Sequence, residues 1–189
     1  LVVAVSYSGN TEETISCFIE AVRKGCPVIA VASGGLLGDM ASSAGVPFIR
    51  VPQGYQPRAA LPFLMVPLLV VLEKFELVKN VEEWVKEAAE AVAGIRDKLG
   101  FDTPYEENPL KKLAAALQGR IPAIYAYWPY RGAGLRFKTQ LNENSKVLAR
   151  FEELPEQNHN EIMGWEKSDV KPHAAVFLRG SEERVEVGA

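Results

Sequence analysis

Only two cysteines and two histidines occur among the 189 residues, and their placement excludes several chemistries. Cys17 and Cys26 form no C-x-x-C pair and are too few for a disulfide framework. Both are expected to be small buried thiols in a reducing compartment. His159 and His173 match no H-E-x-x-H or Cys/His pattern, so no metal is expected. Basic residues are scattered, without a run of five, and the net charge is −3. Nucleic acid is therefore not an expected partner. No signal peptide is visible. The uncharged stretch Ala59 to Leu72 is interrupted by Pro62 and Pro67 and falls short of the roughly 20 residues of a membrane span. It reads as a buried or interface helix, with no membrane partner. No Lys follows a Gly-rich turn as in a nucleotide P-loop, and no G-x-G-x-x-G follows a strand.

A hydrophobic content of 48% suffices for a real core, in one large domain or two small ones. The most informative segment is Val5-Ser6-Tyr7-Ser8-Gly9-Asn10-Thr11-Glu12-Glu13-Thr14. The apolar run before it, Leu1–Val5, reads as a buried parallel strand. An amphipathic helix follows, with Thr11 as N-cap and Thr14, Ile15, Phe18, Ile19 and Val22 on one face. Strand, hydroxyl-rich turn and helix N-terminus together suit a phosphate. Free N–H groups and the positive dipole end face the anion, and Ser6, Ser8 and Thr11 add donors. Ser, Gly, Asn and Thr also make ordinary strand-to-helix turns, so turn chemistry alone leaves both readings open.

The scheme continues along the chain. Pro27–Ala32 reads as a second strand, Leu36–Ala44 as a helix and Phe48–Val51 as a third strand. Helices are expected at about Arg58–Phe75 and Val81–Leu99, the latter with an apolar stripe of Val81, Trp84, Val85, Ala88, Val92 and Ile95. Gly100 to Pro109 has linker composition. The domain boundary is placed there, giving 1–105 and 106–189. Beyond it come a helix at Leu110–Gln118, a strand at Pro122–Trp128 and a helix at Leu135–Ser145. A strand near Val147–Leu154, a loop with a helical turn near Pro155–Ile162 and a strand at Ala174–Leu178 complete the reading. The fold class is α/β, with parallel sheets flanked by helices. The chain opens directly on a strand and closes at Val185 to Ala189, as expected of a piece of a longer protein. Such a piece exposes an apolar edge at Leu1–Val5.

Three further segments carry candidate chemistry. Arg58, between Pro57 and an apolar helix, is a cation where a helix start disfavours one. It is either a solvated surface charge or the neighbour of an anion. Glu143 in Leu141-Asn142-Glu143-Asn144 is a carboxylate between two amides, which suits one oriented by hydrogen bonds, although helix-end carboxylates are commonly at the surface. His159 in Leu154-Pro155-Glu156-Gln157-Asn158-His159-Asn160 is a lone histidine in a polar loop, a common surface setting. A functional role requires a nearby acid or substrate oxygen.

V-S-Y-S-G-N-T resembles the phosphosugar-binding loop of the sugar isomerase (SIS) domain family. Together with P-R-A-A-L-P, L-N-E-N-S-K and L-P-E-x-x-H-N in series, it resembles the bifunctional phosphoglucose/phosphomannose isomerases of that family. The resemblance covers most of the chain, and the stretch from Val71 to Gly119 contributes least. It implies two SIS-type domains, each incomplete here, in a cytoplasmic homodimer serving glycolysis or gluconeogenesis. It implies metal-independent, cofactor-free isomerisation of glucose 6-phosphate and mannose 6-phosphate to fructose 6-phosphate through a cis-enediol. By the resemblance, Ser6, Ser8 and Thr11 grip the phosphate and Arg58 stabilises the enediolate. Glu143 moves the proton between C1 and C2, and His159 from the partner subunit helps open the ring. The family's earlier strand with its Gly/Ser-rich loop, and its closing Thr and Lys, have no counterpart in this chain. Two other outcomes remain open: a SIS module that binds phosphosugar without chemistry, and an inactive piece.

Overall fold

The computed structural model describes residues 1–167 and 169–180, so the closing stretch from Val185 to Ala189 lies outside the described residues. The chain divides into two units, Leu1–Ile95 and Arg96–Ala189. Each holds a three-stranded sheet whose paired strands are all parallel.

In the first unit, Val2–Val5 is β1, Val28–Ala32 is β2 and Phe48–Arg50 is β3, in the order β1-β2-β3. Helices Glu12–Arg23 (α1) and Gly35–Ser43 (α2) make the crossovers. Side chains alternate between the two faces of the sheet. Ala4, Ala30 and Ala32 pack against Phe18 and Ala21 of α1 and Leu37 and Ala41 of α2. The small alanines let both helices approach closely. On the other face, Tyr7, Val31 and Val51 meet Ala60 and the partly buried Phe63 and Leu64, the last two from helix Leu61–Lys74 (α3).

Helix α3 does not begin at Arg58. A 3-10 turn, Pro57–Ala59, precedes it, and Pro62 in the first helical turn marks its start. Val71 is its buried residue, while Leu61, Met65 and Val70 are exposed, so α3 is half-exposed rather than wholly buried. Helix α4, Val81–Leu99, has its expected bounds. Glu73 accepts the Val81 N–H at 2.9 Å, and acids in the first turn with bases in the last complement its dipole. Of its apolar stripe, Val81 is buried, whereas Trp84, Val92 and Ile95 are exposed. The two cysteines are exposed and free, contrary to expectation. Cys17 lines an open groove along β1, an edge strand among the described residues, and Cys26 lies in the turn before β2.

The second unit contains α5 (Pro109–Leu117), β4 (Ile121–Ala126), α6 (Arg131–Gln140), β5 (Arg150–Glu153), α7 (Glu156–His159), α8 (Glu161–Lys167) and β6 (His173–Leu178). Its sheet order is β5-β4-β6. The expected linker is ordered by Asn108, which is 1% exposed. Its Oδ1 caps α5 through Leu110 and Lys111 N–H, and its Nδ2 donates to the carbonyls of Leu99 and Gly100. Helix α6 lies on one sheet face through Gly134, where an added Cβ would stand 2.7 Å from Phe151 and 2.9 Å from Ala126. It starts earlier than the sequence suggests, at Arg131, and ends in a π-helical turn, Leu141–Ser145. Strand β5 is shorter than expected. Val147 N–H bonds to the Leu141 carbonyl and Ala149 N–H to Asn142 Oδ1, so both amides are spent on the turn.

On the opposite face, Ala123, Tyr125, Tyr127 and Leu154 form a core covered by Trp165 of α8, a helix that runs beyond the helical turn expected near Pro155–Ile162. Burial, then the hydrogen bond and charge of Glu161, push the Tyr125 phenol well above its ordinary value. A raised folded value contributes stability that is complete below the unfolded value near 10 and is lost as pH rises beyond it. Stability should thus fall above about pH 10 more steeply than in Tyr125→Phe. Chemical denaturation across that range checks this; parallel slopes in the two proteins would contradict it.

Candidate functional site

Three turns leave the carboxyl ends of β1, β2 and β3, the edge at which open α/β sheets receive ligands. They are tied together by side chains. Tyr7, buried in the first turn, donates its hydroxyl to the Pro52 carbonyl at 3.0 Å and accepts the Tyr55 N–H at 2.9 Å. Ser33 Oγ donates to the Tyr7 carbonyl at 2.7 Å, and Gln53 Nε2 to the Ser33 carbonyl at 2.8 Å. Asn10 Oδ1 accepts the Leu36 N–H at 3.0 Å, and the Gly9 carbonyl accepts the Leu37 N–H at 2.8 Å. The N-terminal donors of α2 are thereby used by the neighbouring turn.

The N-terminus of α1 is arranged differently. Thr11 occupies the N-cap position but makes no side-chain cap. Its Oγ1 lies instead 2.8 Å from Ser6 Oγ, which also accepts the Gly9 N–H at 3.1 Å. Ser8 Oγ, exposed, accepts the Asn10 N–H at 3.2 Å. Ser6 is 5% exposed, so of the three hydroxyls that of Ser8 lies on an exposed residue, while that of Thr11 turns inward to Ser6. A helix start whose N-cap hydroxyl is turned away leaves first-turn amides for an external acceptor. Arg58, half-buried on the 3-10 turn, follows the third loop and so stands at the same carboxyl edge. The first unit therefore gathers Ser6, Ser8, Thr11 and Arg58 on one side of its sheet.

The second unit does not gather its two candidates. Glu143, exposed, lies in the π-helical turn that precedes β5, at the amino end of the sheet. His159, also exposed, ends α7, which follows β5 at the carboxyl end. Strand β5 has four residues, about 13 Å at 3.3 Å per residue, and separates the two. Nor do the flanking amides orient the Glu143 carboxylate as the sequence suggests. Asn142 Oδ1 accepts the Ala149 N–H, and Asn144 bonds to Gln140. Both hold the turn itself. Among the described residues, no three His, Cys, Asp or Glu side chains gather as a metal site.

Sequence reasoning missed Tyr7, Asn10, Ser33 and Gln53, which hold the three turns in place. The signal for Asn10 was present in the turn itself, whereas Tyr7 and Gln53 act across 45 and 20 residues of chain.

The architecture defines a class: parallel, helix-flanked α/β units with a hydroxyl-lined turn at the carboxyl edge. Residues 106–188 match the family model of the bacterial phospho-glucose isomerase C-terminal SIS domain. Over 167 residues the chain is 40% identical to a bifunctional phosphoglucose/phosphomannose isomerase of Caldicellulosiruptor bescii, covering 88% of this chain and 49% of the relative. It is 38% identical to a D-glucosamine-6-phosphate 4-epimerase of Sulfolobus acidocaldarius, covering 85% of this chain and 49% of the relative. Among solved structures, a glucose-6-phosphate isomerase like protein from Thermus thermophilus superposes with a TM-score of 0.58 at 25% identity, covering 96% of this chain and 64% of that one. Residues 106–188 thus match a SIS domain, and most of the chain is similar to bifunctional phosphoglucose/phosphomannose isomerases. It spans about half the length of the curated relatives it matches.

Proposed function

We propose that the protein containing this chain isomerises hexose 6-phosphates between aldose and ketose, with glucose 6-phosphate and mannose 6-phosphate as the aldoses and fructose 6-phosphate as the ketose. One observation carries the reading: Thr11 Oγ1 turns to Ser6 Oγ instead of capping α1, which supports an anion site at the first-turn amides of that helix. Ser6, Ser8, Thr11 and the α1 amides hold the phosphate, whose binding energy orients the sugar remotely from the reacting carbons. His159 moves a proton between the ring oxygen and the C1 hydroxyl, opening the ring. Glu143 removes the C2 proton to give a cis-enediolate, and Arg58 stabilises the charge that develops on oxygen. As the O2 proton passes to O1, Glu143 returns the carbon proton to C1, which leaves the C2 carbonyl of the ketose. We place the start of the second SIS domain at residue 106, where the family match begins.

The placement of Glu143 and His159 at opposite ends of β5 supports a site that takes the two from different copies in a homodimer, as the resemblance implies. The test is complementation. Mixing full-length Glu143→Gln and His159→Ala proteins, each with only a small residual activity, and letting subunits exchange should restore about a quarter of the unaltered activity, since half of the dimers are hybrids with one intact site each. No recovery on verified exchange would contradict the shared site.

A second reading has one supporting observation, the 4-epimerase among the relatives. It is distinguished by offering glucosamine 6-phosphate and looking for inversion at C4 without any ketose.

A further inference from the structure

Glu161 is not among the residues given a role above, yet three donors converge on its Oε1. Tyr125 Oη donates at 2.6 Å and Trp165 Nε1 at 3.0 Å, and the Arg150 guanidinium makes an ion pair with it. Arg150 also lies over the Trp165 ring, 5.4 Å from its centroid. Tyr125 is 1% exposed at the centre of the sheet and stacks on Phe177 of β6 at 5.0 Å. A carboxylate is thus pinned to β4, β5 and its own helix at once.

Its place in the chain gives the network a purpose. Glu161 is the first residue of α8, and only Asn160 separates it from His159. Helix α7 has four residues, and a single turn does not hold its own shape, because helix nucleation is unfavourable. Its orientation is imposed from its two ends. Before it stands buried Leu154, with Gln157 buried within it. After it stands Glu161, whose N–H bonds to Asn160 Oδ1 while Asn160 Nδ2 reaches back to Glu156. His159 itself is exposed.

We infer that Glu161 is a positioning residue for His159: by tying the start of α8 to Tyr125, Arg150 and Trp165, it fixes where the imidazole is presented to the ring oxygen. The inference rests on the isomerase reading above. A charged acceptor for three donors holds the turn; an amide in its place keeps the shape but loses the ion pair and turns donors toward donors.

The test is a double-mutant cycle in the full-length protein, measuring conversion of glucose 6-phosphate to fructose 6-phosphate. Glu161→Gln should lower kcat by about tenfold to a hundredfold, the cost of misplacing a reacting group by about an ångström, with KM unchanged. In the His159→Ala background the same substitution should have no further effect on kcat. Losses that multiply in the double variant would overturn the inference, as would an unchanged kcat in Glu161→Gln or in His159→Ala. If Glu161→Gln does not fold, as judged by circular dichroism, Tyr125→Phe removes one donor and runs the same cycle with the same criteria. Failure of the isomerase reading is told apart because the unaltered protein then shows no turnover.

Discussion

In the full-length protein, Glu143→Gln is expected to lower kcat by about three orders of magnitude while leaving the affinity for hexose 6-phosphate unchanged. The amide has the size and shape of the carboxylate but cannot take a proton, and general-base catalysis commonly contributes about 10²–10⁴ in rate. The local structure has little reason to respond. The Glu143 side chain is exposed, and the turn is held by other groups: the Glu143 carbonyl accepts Lys146 Nζ at 2.6 Å, and Asn142 and Asn144 make their own bonds. In the proposed site the phosphate is held from the other unit, by Ser6, Ser8 and Thr11. Isothermal titration with a hexose 6-phosphate, alongside steady-state turnover, separates the two effects. A variant that binds but does not turn over agrees with the account. Retained turnover would remove Glu143 from the mechanism, and joint loss of binding and turnover would move it into the binding site.

The second large effect is structural in origin. Gly9→Ala should weaken hexose 6-phosphate binding by more than about a hundredfold, because a displaced turn costs rate and affinity steeply. Gly9 has φ +72, a left-handed conformation in which an L side chain is strained. Its added Cβ would also stand 1.8 Å from the Gly34 carbonyl oxygen, a backbone atom that cannot swing aside. The turns after β1 and β2 would have to separate. Separation would break the bonds that the Leu36 N–H donates to Asn10 Oδ1 and the Leu37 N–H donates to the Gly9 carbonyl. Ser6 Oγ would lose the Gly9 N–H, and with it the support of Thr11 Oγ1. Gly25→Ala is the matched control, with a similar φ of +67 but no heavy atom near the added Cβ. It should bind as the unaltered protein does. Unaltered binding in Gly9→Ala would contradict the account, and equal weakening in both variants would point to backbone strain rather than the meeting of the two turns.

The parallel α/β plan was legible because its strands are short apolar runs and its helices carry 3.6-residue stripes; β1, β2 and α4 lie within a residue of their expected bounds, and α1 starts just after its expected N-cap. What sequence could not show was where tertiary bonds overrule local pattern. Strand β5 starts late because its first amides go to the π-helical turn. The segment from Gly100 to Pro109 looks like a linker by composition, yet Asn108 before Pro109 is also a helix-start signal, and its side chain orders the stretch. Cys17 was expected inside because it lies near the apolar face of α1, but that side of the helix borders an edge strand. For the site, the hydroxyl turn and Arg58 were visible as types of residue in a suggestive order. The opposite placement of Glu143 and His159 along the second sheet follows from strand direction, which only the fold supplies.

The central claim is isomerase chemistry on a hexose 6-phosphate. Its most direct test is to incubate the full-length protein with glucose 6-phosphate and with mannose 6-phosphate, in the presence of a chelator, and measure fructose 6-phosphate. The account predicts ketose from both aldoses. Binding of either sugar phosphate without any ketose would contradict it and leave a phosphosugar-binding module in its place.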